Sequence, residues 1–225
     1  MMNSSKVRYL IWIITALSLL SCFGCKNRAS VRSGINLLPY YNEATFTPHW
    51  FSSNSAQLDT FHAVRPFQLI NQEGDTITQE TFAQKIYVTD FFFTTCPGIC
   101  PRMTKNMNIL QQTFLHDPDV LMLSHSVTPE RDSVSVLKKY ALKNGIFSHK
   151  WHLTTGDRQQ IYHLGRASYF IEEDLGIERE IDEFLHTENF VLVDKNQHIR
   201  GIYNGLKKSS INQIIDDIKL LKKEI

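Results

Sequence analysis

Two cysteines stand four residues apart where an apolar run gives way to a helical one, in the stretch Asp90-Phe-Phe-Phe-Thr-Thr-Cys96-Pro-Gly-Ile-Cys100-Pro-Arg-Met103. Four residues is about one helical turn, so a helix beginning near Pro97 would put both sulfurs on one side. The unpaired N–H groups of a first helical turn favour a thiolate over a thiol. A cysteine held there is both a nucleophile and a soft metal ligand. Cα atoms one turn apart lie about 6 Å from each other, within disulfide range, so the same pair can bind a metal or oxidise. Proline suits the start of a helix, which fits Pro97 directly and Pro101 if the first turn is irregular.

The elements that must hold this pair read clearly. Ile86 to Phe93 is apolar except for Thr89 and Asp90, the mark of a strand covered on both faces and therefore central. After the cysteines, Met103, Met107, Leu110 and Phe114 recur at helical spacing and predict a core-facing stripe. His62 to Ile70 and Thr76 to Thr78 predict a hairpin turning at Gly74. Asp119 to Ser126 predicts a second buried strand, and Thr128-Pro129 a helix start with Thr128 as its cap, running to a stop at Gly145. A short strand over 150–154, a helix from about Asp157 to Ser168, a hairpin of 190–194 with 198–203 and a last helix from near Ser210 complete the chain. Strands alternating with helices and a closing antiparallel hairpin predict an α/β three-layer sandwich with a mixed β-sheet. Residues 170–187 break the alternation with an acidic stretch leading to His186, read as a long, partly packed loop.

With 225 residues and a net charge of +1, nothing in the composition implies a nucleic-acid partner. The N-terminus is distinct. Lys6 and Arg8 precede an apolar core over 9–20 and then Leu19-Leu20-Ser21-Cys22, the pattern of a bacterial lipoprotein signal over 1–21 with lipid on Cys22, or on Cys25 as second choice. Residues 22–60 then form the anchor and a tether that partly packs on the domain, and 61–225 the domain itself. This arrangement places the domain in the cell envelope, on the extracytoplasmic face of the membrane, where disulfides persist. Only Cys96 and Cys100 remain in the folded part, a single working pair.

Several stretches together resemble one known family. Phe-Thr-Thr-Cys96-Pro-Gly-Ile-Cys100-Pro-Arg-Met, Ser-Val-Thr-Pro-Glu-Arg-Asp132, Trp151-His-Leu-Thr-Thr-Gly156, His186-Thr-Glu-Asn-Phe-Val-Leu-Val-Asp194 and Ile199-Arg-Gly-Ile-Tyr203-Asn-Gly205 are similar, in order, to the Sco/SenC family. The resemblance covers roughly residues 61–222. It implies a thioredoxin-like fold and one copper per chain, Cu(I) and in some states Cu(II), bound by Cys96, Cys100 and His186. It also implies a metallochaperone role in assembling the dinuclear copper centre of cytochrome c oxidase, whose copper-site subunit would be the recipient. The sequence departs from the family pattern at Thr128, where many members carry aspartate.

The residue chemistry agrees with that implication. Two thiolates and an imidazole make a soft, low-coordinate set suited to copper and unsuited to magnesium, calcium or manganese. Zinc is the rival, although a structural zinc site wants a fourth protein ligand and none is evident. An extracytoplasmic thiol-disulfide oxidoreductase and a copper or redox sensor are the alternative readings, and the carrier reading does not make the protein an enzyme. Met103 and Met107 are read as core, His125 as a strand histidine rather than a ligand, Asp90 as a charge near the thiols, and Asp132 as either such a charge or, in preference, a first-turn helix stabiliser.

Overall fold

The strand expected to be central is central. A computed structural model of the chain describes residues 37–172, 185 and 187–224. In it Ile86–Phe92 forms β3, buried at every position. Among these residues seven strands make one sheet in the order β2-β1-β5-β4-β3-β6-β7. The others are β1 (Gln68–Asn71), β2 (Thr76–Thr78), β4 (Val120–Ser126), β5 (Trp151–Thr155), β6 (Asn189–Val193) and β7 (Ile199–Asn204). β3 runs parallel to β4 and β4 parallel to β5, while the remaining pairings are antiparallel. The sheet is mixed, as read from the alternation.

Two cores cover its two faces, sorted by the period-two alternation of β3. Ile86, Val88 and Phe92 face a cluster built with α1 (Cys100–Thr113), α2 (Val134–Asn144) and α4 (Lys208–Leu221). Tyr87 and Phe91 face a second cluster with Ile161 and Tyr162 of α3 (Arg158–His163) and with Leu164, Tyr169 and Leu185. Met103, Met107 and Leu110 of α1 are fully buried, so the two methionines are core side chains as the spacing predicts. Each such side chain contributes roughly 1.5–3 kcal/mol of burial. Gly145 ends α2 in the left-handed conformation at φ 65°, which glycine adopts without Cβ strain.

The expected tether is described from residue 37 onward, and that part lies against the domain. Leu38, Tyr40 and Leu58 are buried, and Tyr41 bridges to Ile199. The Arg200 guanidinium holds the segment: it donates to the Leu38 and Pro39 carbonyls, pairs with Asp194 at 3.1 Å and Glu224 at 2.8 Å, and lies 3.9 Å over the Tyr40 ring. Cys22, Cys25 and the leader lie outside the described residues, as do 173–184 of the acidic stretch.

Two expected helix starts move. α1 begins at Cys100, with Pro97, Gly98 and Ile99 in a bend before it and Pro101 in its first turn. α2 begins at Val134 with Ser133 at its cap, so Thr128 to Arg131 form a separate turn and Thr128 is not a helix cap. The reason for the second shift lies at Asp132.

Candidate metal and thiol centre

β3 ends at Phe92, and the chain turns through Thr94 and Thr95 to bring Cys96 to the mouth of α1, the Cys96 N–H closing the turn on the Phe93 carbonyl at 3.3 Å. Both cysteines are free thiols; Cys100 is buried and Cys96 is partly exposed. Helix α1 has no side-chain N-cap and no acidic residue in its first turn. The Cys96 sulfur takes that place. Burial by itself raises its pKa, but the N–H groups of Cys100, Gly98 and Ile99 and the Cys100 thiol all donate to it, and the net shift is downward. Cys100 moves the opposite way. Burial, its bond to Cys96 and the negative charges of Cys96 and Asp90 outweigh a backbone hydrogen bond at Phe93 and push its thiol up to about 12.

The pair is therefore asymmetric, with the more acidic thiol partly exposed at 96 and the less acidic one buried at 100. Iodoacetamide is expected to modify Cys96 with a pH midpoint below the usual thiol value of about 8.5, while Cys100 stays unmodified until strongly alkaline pH. Peptide mapping of the alkylated protein across pH measures both. Equal midpoints would contradict the asymmetry.

Two buried carboxylates support the pair, one on each side of the loop. Asp132 is fully buried and accepts from the Thr94 amide at 3.2 Å, the Thr94 hydroxyl at 2.5 Å, the Ser126 hydroxyl at 2.6 Å and the Thr128 hydroxyl at 3.1 Å. It ties the ends of β3 and β4 together directly before Cys96. Serving these four donors, rather than a helix dipole, is its role, and it keeps residues 128–132 out of the helix. Thr128 takes part as a donor. A carboxylate at that position would have no proton to donate to Asp132 when ionised.

Asp90 lies two residues before Phe92, on the face that carries Cys100. The Ser124 hydroxyl donates to it and in turn accepts the Trp151 indole N–H at 2.8 Å. Burial raises the Asp90 pKa to about 7, against the lowering by Ser124. A folded state that holds this proton to about pH 7, where an exposed aspartate releases it near pH 4, loses stability as pH rises through that window. Asp90→Asn keeps the shape without the charge. It is expected to flatten the loss and to stabilise the protein at pH 8 by about 2–4 kcal/mol. Urea unfolding at pH 5 and pH 8 measures the difference; an unchanged pH slope would sink the assignment.

The third expected ligand, His186, lies outside the described residues, but both its neighbours are placed. Leu185 is buried against Gly165, where an added Cβ would come within 3.0 Å of Leu185 Cδ1. The Thr187 hydroxyl donates to the Ile171 carbonyl at 2.7 Å, and the Asn189 side chain donates to the same carbonyl at 2.8 Å. Among the described residues no three His, Cys, Asp or Glu side chains gather as a metal shell. His125 is not near the thiols' face. It is buried among Phe67, Phe91 and Tyr169 in the second cluster, and its pKa falls to about 3 through burial, so it stays neutral.

Comparison with known proteins decides the kinship. The SCO1/SenC family model matches residues 55–223. The chain belongs to the SCO1/SenC family. The SCO1 protein homolog of Bacillus subtilis (strain 168) is 32% identical over 162 residues, covering 70% of this chain and 82% of that one. The solved structure of BsSco, reported with a disulfide switch and as a member of the Sco family of cytochrome c oxidase assembly proteins, is 30% identical. It superposes with a TM-score of 0.60 over 71% of this chain and 93% of its own. Arabidopsis thaliana ScoI, solved with copper bound, shares the fold at 24% identity, with a TM-score of 0.54 over 72% of this chain and 99% of its own. The mixed sheet and two helical layers are thus the thioredoxin-like architecture of Sco proteins. Of the two readings of Asp132, a charge beside the thiol loop holds and the preferred one, a first-turn helix stabiliser, does not, and sequence reasoning gave Thr94 no role; the pairing of Thr-Thr before Cys96 with Ser126-Val-Thr128 upstream of Asp132 was the available signal.

Proposed function

We propose that this protein is a copper metallochaperone, taking one copper per chain as cargo on Cys96, Cys100 and His186. Its recipient is a protein of the cytochrome c oxidase copper site, and it works from the extracytoplasmic face of a bacterial membrane, held there by lipid on Cys22 or Cys25. The observation that carries this reading is the sulfur pair: two free thiols hydrogen-bonded to each other at an uncapped helix mouth, one partly exposed. Such a pair offers soft donors to Cu(I) at the surface, where a recipient's ligands can attack. Copper binding displaces the remaining thiol proton of Cys100, so affinity rises with pH. Membership of a family of oxidase assembly proteins supports the destination.

A second reading has its own observation. An accessible, low-pKa Cys96 beside a buried, high-pKa Cys100 is the asymmetry of an attacking and a resolving thiol, as in a thiol-disulfide oxidoreductase. An anaerobic Cu(I) titration of the reduced full chain in detergent, against a competing chelator, separates the two. One tight equivalent supports the carrier; none gives the oxidoreductase the lead.

A further inference from the structure

The rim around the thiols is basic on one side. Arg102 and Lys105 project from the first two turns of α1, and Lys207 and Lys208 open α4; all four are exposed. They share one face because the Asn106 side chain, beside Lys105, donates to the Gly205 carbonyl at 2.7 Å. Leu206, directly before Lys207, is partly buried against the core cluster that Cys96 and Ile99 also pack on. Several other surface lysines have partners, Lys85 with Asp119, Lys138 with Glu73, Lys219 with Asp216 and Lys222 with Asp117, while Lys139 and Lys143 on α2 are exposed and have no ion pair among the described residues. Among the described residues none of the four rim cations has one. The Glu188 carboxylate nearby accepts from Asn204 instead. Neither helix has an acidic residue in its first turn, so the cations add to the positive ends of α1 and α4 rather than offset them. The whole chain is only +1, which makes this a local feature and not a reflection of net charge.

We propose that this face docks the recipient, and that the recipient is a protein whose own thiol pair is ringed by aspartate and glutamate. The inference rests on the carrier reading for the nature of the cargo, but the surface works equally for disulfide exchange. Cations beside the transfer site, with no ion-pair partner among the described residues, raise the encounter rate of an acidic partner and orient its sulfurs toward Cys96. A basic partner meets like charge at the same place.

The test uses two synthetic disulfide peptides with the same cysteine pair, one flanked by glutamates and one by lysines, and the reduced full chain in detergent. The Cys96 thiolate attacks a peptide sulfur, forming a mixed disulfide and releasing one peptide thiolate. Cys100 then loses its proton to solvent and attacks the Cys96 sulfur, releasing the second. The protein pair gives up two electrons and the peptide gains them. At low salt the acidic peptide is expected to react about tenfold faster than the basic one, and the two rates to converge near 0.5 M salt. Arg102→Glu/Lys105→Glu together with Lys207→Glu/Lys208→Glu is expected to abolish or invert the ratio, and Lys219→Glu at the far end of α4 to leave it unchanged. Taking the ratio cancels any change in Cys96 reactivity caused by the new charges. Equal rates at low salt, or a preference that survives all four reversals, would overturn the proposal. The reduced peptides, offered to copper-loaded protein, repeat the comparison with copper as cargo. A protein that binds no Cu(I) but prefers the acidic disulfide would keep the docking face and lose the copper reading.

Discussion

Cys96→Ser and Cys100→Ser are each expected to abolish tight Cu(I) binding, a loss of roughly three orders of magnitude or more in affinity, ~4 kcal/mol. A serine hydroxyl is a hard, protonated donor at neutral pH, and one remaining sulfur cannot hold the ion against a competing chelator. The two variants should differ in reactivity. Cys100→Ser keeps Cys96 with its backbone N–H donors and so remains alkylated below the usual thiol range, whereas Cys96→Ser leaves only the buried thiol and reacts poorly. His186→Ala, which takes away a ligand but neither sulfur, is expected to weaken copper by about 10–100-fold, ~1.4–2.7 kcal/mol, and to leave alkylation unchanged. Chelator competition and alkylation rates on the three variants give all of these outcomes. Undiminished copper in either serine variant would refute the ligand assignment, and undiminished copper in the alanine variant would remove His186 from the set.

Asp132→Ala is the second change with a large expected effect. It strips the acceptor from four donors around a fully buried carboxylate, among them the amide of Thr94 and the buried hydroxyl of Ser126. A destabilisation of about 3–5 kcal/mol is expected. Asp132→Asn keeps one acceptor oxygen and should cost less. Because Thr94 is two residues from Cys96, the alanine variant is also expected to move the Cys96 alkylation midpoint up toward an ordinary thiol, as the N–H cradle loosens. Urea unfolding reads the stability and pH-dependent alkylation reads the cradle. Lost stability with an unmoved midpoint would confine Asp132 to supporting the fold.

The asymmetry of the thiols bears on both readings of function. Cys100 keeps its proton before metal or oxidant arrives, so the metal-free protein does not hold two thiolates side by side. Asp90 adds to this arrangement from beneath. A carboxylate that stays partly protonated near neutral pH limits the negative charge under Cys100, and its ionisation at higher pH works against a second thiolate.

The sequence by itself determined the order of strands and helices, the burial of β3 and the stripe of α1, because hydrophobic periodicity is a local property and burial simply amplifies it. It also determined the working pair, since cysteine chemistry and a strand-to-helix junction are both visible in eighteen residues. Where α1 and α2 start was not legible. Proline at 97 and at 129 is compatible with a helix start at either place, and the choice went to tertiary hydrogen bonds that no local preference encodes. Asp132 is the clearest case: thirty-eight positions separate it from Thr94, and only the parallel pairing of β3 with β4 brings the two together. The same holds for the unequal acidities of Cys96 and Cys100. Identical side chains four residues apart differ because one sulfur faces the open N–H groups of a helix and the other faces the core, a difference of environment that exists only once the chain is folded.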